Sequence, residues 1–187
     1  MQTPDKRHID ELLIRPAEPA DALLLSQLLG GVGVFEGTFQ LPDVALATRT
    51  DMLAKVDASC IRLVALDPNS GAIVATAGLH SVSPSLRRSY VRSLSMAVRS
   101  DWQGMGLGDA LMRRLTDWAD NWAGVLRIEL TAYADNPRAI ALYKRHGFVQ
   151  EGNMRHYALK AGQYADAVAM ARLHPAPPSV SSPTAPV

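Results

Sequence analysis

The chain has 187 residues, 48% of them hydrophobic, and its 19 Lys plus Arg against 18 Asp plus Glu leave a formal charge of +1. That size suits one domain with a sizeable core, and the charge balance lacks the net basic footprint that nucleic acid binding requires. The single cysteine, Cys60, excludes an internal disulfide framework and any zinc site built from several cysteines. No apolar run approaches the ~18 residues of a membrane span, and the opening residues lack the apolar core of a signal peptide. The chain reads as soluble and cytoplasmic, with no membrane partner.

The elements follow in chain order. Residues 1–10 are polar and read as a flexible start. Residues 11–15 suggest a short strand, and 19–29 a helix with leucines at helical spacing. A glycine-rich break at 30–37 precedes a second helix over 42–56, with Asp43 near its start. Strands are expected at 61–66 and 72–80, joined by the turn at 67–71, and again at 88–98. The clearest helix covers 106–122, where Leu107, Leu111, Leu115 and Trp118 make an apolar stripe. Residues 125–133 alternate as a strand. Residues 136–146 form a helix closed by Gly147, and 148–159 with 165–173 form a final antiparallel pair. The last 13 residues, 175–187, hold five prolines and no charge, so they read as a disordered tail behind a domain at 11–174. Helices interleaved with strands predict an α/β or α+β sheet domain.

The informative stretch is Met96-Ala97-Val98 followed by Gln103-Gly104-Met105-Gly106-Leu107-Gly108-Asp109: a strand, a glycine-rich turn and a helix start. Helix N-termini present unpaired N–H groups and a partial positive charge, so they bind phosphate. Glycines there let an anion approach the backbone. A Walker loop is excluded because no Gly-Lys-Ser/Thr follows. A dinucleotide fingerprint fails because Asp109 stands at its last glycine and the turn lies past the chain's midpoint. What remains is Gln/Arg-x-x-Gly-x-Gly/Ala, filled by Gln103, Gly106 and Gly108.

That pattern resembles the coenzyme A pyrophosphate loop of the GNAT acetyltransferases. The run from Asn136 through Ala139 and Tyr143 to Gly147-Phe148 is similar to the family's second motif, Asn-x-x-Ala-x-x-x-Tyr-x-x-x-Gly-Phe. The closing residues Tyr157, Gly162, Tyr164 and Asp166, with Thr38, Gln40 and Pro42, resemble a bacterial subgroup that acetylates the α-amine of free amino acids such as phenylalanine and methionine, or of phosphinothricin.

The resemblance implies the GNAT fold: a mixed, mostly antiparallel sheet of six to seven strands with helices on both faces. It implies acetyl-CoA as donor, no metal, a small-molecule amine as acceptor and a homodimer. It assigns the pyrophosphate to the amides from Gln103 to Asp109, the pantetheine arm to Met96, Ala97, Val98 and Asn136, and proton donation to the leaving thiolate to Tyr143. Glu36, Phe39 and Gln40 fall in the loop that covers the acceptor in relatives. Its apolar members Phe35, Phe39 and Leu41 can equally be core or dimer contacts. The strand before the loop carries Ser93, Ser95 and Ala97 where many relatives have a carboxylate base. Glu129, His80, Glu36 or a water chain remain open for that task. Simpler roles stand beside these: Asn136 as an N-cap, Tyr143 as a core aromatic, Cys60 as a small buried hydrophobe, and the three tryptophans as packing for the helix after the loop. The five histidines show no metal-ligand spacing. Competing functions are an acyl-CoA sensor without turnover, an enzyme acting on a protein or polyamine amine, and an interaction module.

Overall fold

The structure, a computed structural model, describes residues 11–41, 43–55 and 57–179. The expected loose start at 1–10, the tail from 180 onward and Pro42 lie outside the described residues. Eleven main elements run in the order β1 (Leu13–Pro16), α1 (Ala22–Leu29), α2 (Leu46–Ala54), β2 (Ile61–Leu66), β3 (Ile73–Ser81), β4 (Val91–Val98), α3 (Leu107–Asn121), β5 (Arg127–Tyr133), α4 (Pro137–Arg145), β6 (Val149–Lys160) and β7 (Gln163–Leu173). They build one seven-stranded sheet in the order β1-β2-β3-β4-β5-β7-β6. This is the expected mixed GNAT-type sheet.

Every neighbouring pair is antiparallel except β4 with β5. That parallel contact lasts only from Val91, opposite Arg127, to Ser93, opposite Glu129. Beyond it β4 stays bonded to β3 as far as Val98, and β5 stays bonded to β7 as far as Tyr133. The two strands therefore splay, each leaving one backbone edge unpaired at the centre of the sheet.

Strand alternation sends side chains to two cores. On one face Leu63, Leu79, Leu94, Ile128 and Leu130 meet the α3 stripe of Leu107, Leu111 and Leu115. On the other, Val64, Ile73 and Ala97 meet Leu25, Leu28 and Leu29 of α1, with Met52 and Leu53 of α2 against them. A bidentate Arg172–Asp120 pair at 2.8 and 2.6 Å ties β7 to α3. The β6–β7 register shifts between Met154 and Ala158, where His156 takes φ 51° and donates its N–H to Asp166 at 2.8 Å. Such a bulge re-aims the side chain that follows, here Tyr157.

Some boundaries differ from expectation. Helix α2 starts at Leu46, because Asp43 adopts the left-handed conformation (φ 55°), which Asp tolerates and a helix interior does not. Strand β4 begins at Val91, since Leu86–Arg88 close into a 3-10 turn first. Trp102 is buried and Trp118 half-buried against the core, but Trp122 is 79% exposed at the α3 C-cap, so it is no packing residue. Cys60 is only partly buried and polar in its contacts: its thiol donates to Asp57 at 3.1 Å and accepts the Ser81 N–H at 3.2 Å.

Leu111, fully buried under the sheet, sets a stability test. Leu111→Ala is expected to cost about 2–5 kcal/mol in urea unfolding, whereas Trp122→Ala costs less than about 0.5 kcal/mol.

Candidate active site

The splay opens onto a cleft of about 430 Å³, within the range of small-ligand sites. Its walls come from three places: β4 and the turn after it, the first turns of α3, and α4 with the loop around Val34 and Thr38. Of the residues singled out in the sequence, Met96, Ala97, Val98, Gln103, Gly104, Gly106, Gly108, Asp109, Asn136 and Tyr143 line it. Leu107 and Met105 are not among the lining residues: the Leu107 side chain is buried in the core, and Met105 packs at that core's edge.

The turn is shaped by its glycines. Gly104 and Gly106 hold φ of 82° and 91°, where a side chain is strained. Gly106 is the N-cap of α3 and no side chain caps that helix, so the first amides of a 15-residue helix carry no side-chain acceptor and keep their partial positive charge at the cleft. Gly108 serves packing: a Cβ there would stand 2.9 Å from Leu142 of α4. Asp109 does not oppose an anion freely. Burial pushes its carboxyl up, but hydrogen bonds from Arg145 and His146 outweigh this and hold it lowered. The Arg145 contact, at 2.9 Å, joins α3 to α4. Gln103 bridges the cleft mouth, donating to the Val98 carbonyl and accepting from Arg138.

Asn136 caps α4: its Oδ1 accepts the Ala139 N–H at 3.1 Å, and Pro137 follows at the first helical position. The capping role and a ligand contact are compatible, because the side-chain NH2 has no partner among the described residues. Tyr143 is buried on α4 beside Phe148 and lines the cleft. Burial pushes its phenol up to about 12, so it stays protonated.

The loop residues lie apart from the cleft lining. Glu36 accepts the Gly33 N–H at 2.8 Å, a local turn contact. Phe39 stacks on Tyr133 and, edge-on, on Tyr157, with ring centroids 4.5 and 5.3 Å away. Gln40 accepts a short hydrogen bond from Arg49 of α2. Leu41 is exposed. His80, on β3, touches Ser95 of β4 at 2.8 Å through Nε2. Burial, with the Arg62 charge adding to it, pushes His80 down to about 4. Both carboxylate oxygens of Glu129 are engaged by guanidiniums, from Arg88 at 3.0 Å and Arg127 at 3.2 Å. The buried Arg49 had no sequence signal of its own; it lies one helical turn before Met52 and Leu53, and only the fold turns it inward. Among the described residues no group of three or more His, Cys, Asp or Glu side chains could hold a metal ion, and no helix is long and apolar enough to cross a membrane.

The chain as a whole has counterparts among known proteins. The acetyltransferase (GNAT) family model matches residues 35–148. The chain belongs to the GNAT acetyltransferase family. An Escherichia coli relative, L-amino acid N-acetyltransferase AaaT, is 35% identical over 175 residues, covering 88% of this chain and 99% of that protein. Spermidine N(1)-acetyltransferase of the same species is 26% identical over 160 residues, covering 84% of this chain and 83% of that protein. Among solved structures, a phosphinothricin acetyltransferase from Sinorhizobium meliloti in complex with AcCoA superposes with a TM-score of 0.77 at 22% identity, over 87% of this chain and 88% of that one. This GNAT protein is thus an acetyl-CoA-dependent N-acetyltransferase. The uncapped amides and left-handed glycines fit a diphosphate, and the unpaired β4 edge fits an extended amide-bearing arm.

The His80 environment predicts a pH effect on stability. The unfolded chain binds the imidazole proton near 6.5 and the folded protein near 4, so between these values the unfolded state holds the extra proton. Stability contributed by neutral His80 is present above pH 6.5 and is lost as pH falls toward 4. Urea midpoints between pH 7 and 4.5 should fall less in His80→Gln than in the wild type; parallel slopes would contradict the burial of a neutral imidazole.

Proposed function

We propose that this GNAT protein acetylates the α-amine of a free amino acid or a close analogue, by direct attack in a ternary complex. The observation that carries the acceptor class is the likeness, over 88% of this chain, to an L-amino acid N-acetyltransferase. The groups placed around the splay supply a role for each step.

Bound acetyl-CoA supplies a thioester whose carbonyl carbon accepts the amine. In this reading the amides from Gln103 to Asp109 hold the diphosphate, Arg138 and Arg145 flank it, and Asn136 donates to the arm. The free edge of β4 from Met96 to Val98 aligns the thioester, and an N–H near Ala97 faces the carbonyl oxygen as negative charge develops there. Tyr143 donates its hydroxyl to the departing sulfur. At about 12 its phenol is a weaker acid than a thiol with its ordinary pKa near ~8.5, so a donated hydrogen bond stabilises the leaving group and does not require the phenol to ionise.

No side chain of the site is a strong base. An imidazole pushed down to about 4 cannot hold the proton of an ammonium group, and Glu36 and Glu129 are held in the contacts described above. The amine therefore enters neutral or loses its proton to water, and His80 positions Ser95 at the wall of the splay. The aromatic group of Phe39, Tyr133 and Tyr157 offers an apolar lip for the acceptor's side chain. A homodimer follows from the subgroup resemblance alone.

Thiol release from acetyl-CoA across the common amino acids, phosphinothricin and spermidine tests the reading. Turnover on amino acids or phosphinothricin supports it; turnover on spermidine alone, or stabilisation by CoA with no turnover on any amine, contradicts it. Tyr143→Phe should lower kcat by roughly 100-fold or more while leaving CoA-induced thermal stabilisation intact. Gly106→Val should do the reverse, abolishing most of that stabilisation because φ 91° and the diphosphate both reject a branched side chain.

A further inference from the structure

The structure pairs nearly every shielded guanidinium with acceptors. Arg15 binds Asp21, Arg172 binds Asp120, and Arg127 binds Glu129 and Glu151. Arg92 is satisfied by the carbonyls of Ser59, Ser89 and Val91. Two others break the pattern. Arg49, 8% exposed on α2, reaches only the Gln40 amide oxygen, and its Nε is shielded from water with no hydrogen-bond partner. Arg62 of β2 touches the His80 imidazole at 3.5 Å. Neither has a carboxylate partner among the described residues.

These two residues share one face of the molecule. Arg62 pairs with Gly78 across β2–β3, and Gly78 pairs with Ser95 across β3–β4. A Cβ at Gly78 would meet the Ile61 carbonyl at 2.8 Å and the His80 ring at 2.9 Å, so the glycine leaves room for the imidazole beside Arg62. Helix α2 lies over the same sheet face through Met52 and Leu53. Each guanidinium is held below its ordinary range by burial, and Arg62 is lowered further by the charge of Arg49. Two like charges kept together under cover are costly unless an anion joins them.

We infer that Arg49 and Arg62 form the acceptor-specificity site of the enzyme, holding the α-carboxylate of the amino acid whose amine is acetylated. This inference rests on the acyl transfer proposed above and adds the group that recognises the acceptor. The position suits it. Arg62 reaches His80, and His80 reaches Ser95 on β4, two residues from Ala97 at the splay. Arg49 is tied through Gln40 to the loop whose Gly37 and Thr38 line the cleft. In an amino acid, amine and carboxylate hang on one carbon, so the group that binds the carboxylate must lie on the side from which the amine enters. A guanidinium matches a carboxylate in bidentate geometry. The same pair repels a polyamine, whose charges are all positive.

The test compares each amino acid turned over with its own primary amide, for example L-phenylalanine with L-phenylalaninamide. The wild type should favour the acid by at least about 30-fold in kcat/KM, the range expected for a shielded charge pair. Arg49→Gln and Arg62→Gln should each remove most of that preference through KM, while changing kcat/KM for the amide less than about threefold and leaving CoA-induced stabilisation unchanged. Amides used as well as acids by the wild type would overturn the inference without any variant, as would variants that slow acid and amide alike. Thiol release with no amine at all removes the proposed reaction and not this site. In that case, thermal stabilisation of the CoA-bound wild type by L-phenylalanine but not by its amide supports the site, and equal or absent stabilisation overturns it.

Discussion

The parting of β4 from β5 after three paired residues is the constraint on which the site depends. Backbone N–H and C=O groups inside a sheet are ordinarily paired with a neighbouring strand, because leaving them unpaired away from water is costly. Here each strand keeps its outer partner, so neither can collapse to close the gap. The inner edges stay presented to whatever extended chain can supply amide groups. The fold is rigid on both sides of a slot, and the slot is where the chemistry is proposed.

Everything else at the site is arranged along that slot. At one end α3 begins without a side-chain cap, so its first amides are left for a ligand in the proposed reading. Midway, α4 delivers Asn136 and Tyr143 from a single short helix whose start is set by the asparagine cap and Pro137. On the opposite sheet face the loop after α1 crosses over the opening and anchors on Tyr133 and Tyr157 through Phe39. The bulge at His156 is what brings Tyr157 there. The first turns of α3, α4 and the loop after α1 meet around one cleft, and in the proposed reading α3 and α4 serve the donor while α2 and that loop serve the acceptor.

Much of this was legible from residues close together in the chain. The α3 stripe, the glycine turn and the Asn136–Tyr143 spacing are local patterns, and local patterns survive in sequence. Strands β2 and β3 read correctly because the turn at 67–71 bounded them. What stayed hidden is long-range. The order β5-β7-β6 depends on pairings between distant strands, and the splay beside residues 125–133 is expected from the family resemblance alone. Arg49 and Arg62 carry no sequence signal of their own, since nothing near them in the chain tells which face they turn inward. The start of α2 was misplaced because Asp43, an ordinary helix-start residue, takes a left-handed backbone instead. Of the candidate bases, Glu36 is a turn contact, His80 is held neutral by burial, and Glu129 is bound between two guanidiniums; none of these contacts is visible in the local sequence.

A crystal structure of the protein with CoA tests the central claim most directly. The account expects the diphosphate within hydrogen-bond distance of the backbone amides between Gly104 and Asp109, and the pantetheine arm lying between β4 and β5 along Met96, Ala97 and Val98. Phosphates lodged elsewhere, or a sheet in which β4 and β5 pair along their full length, would contradict it.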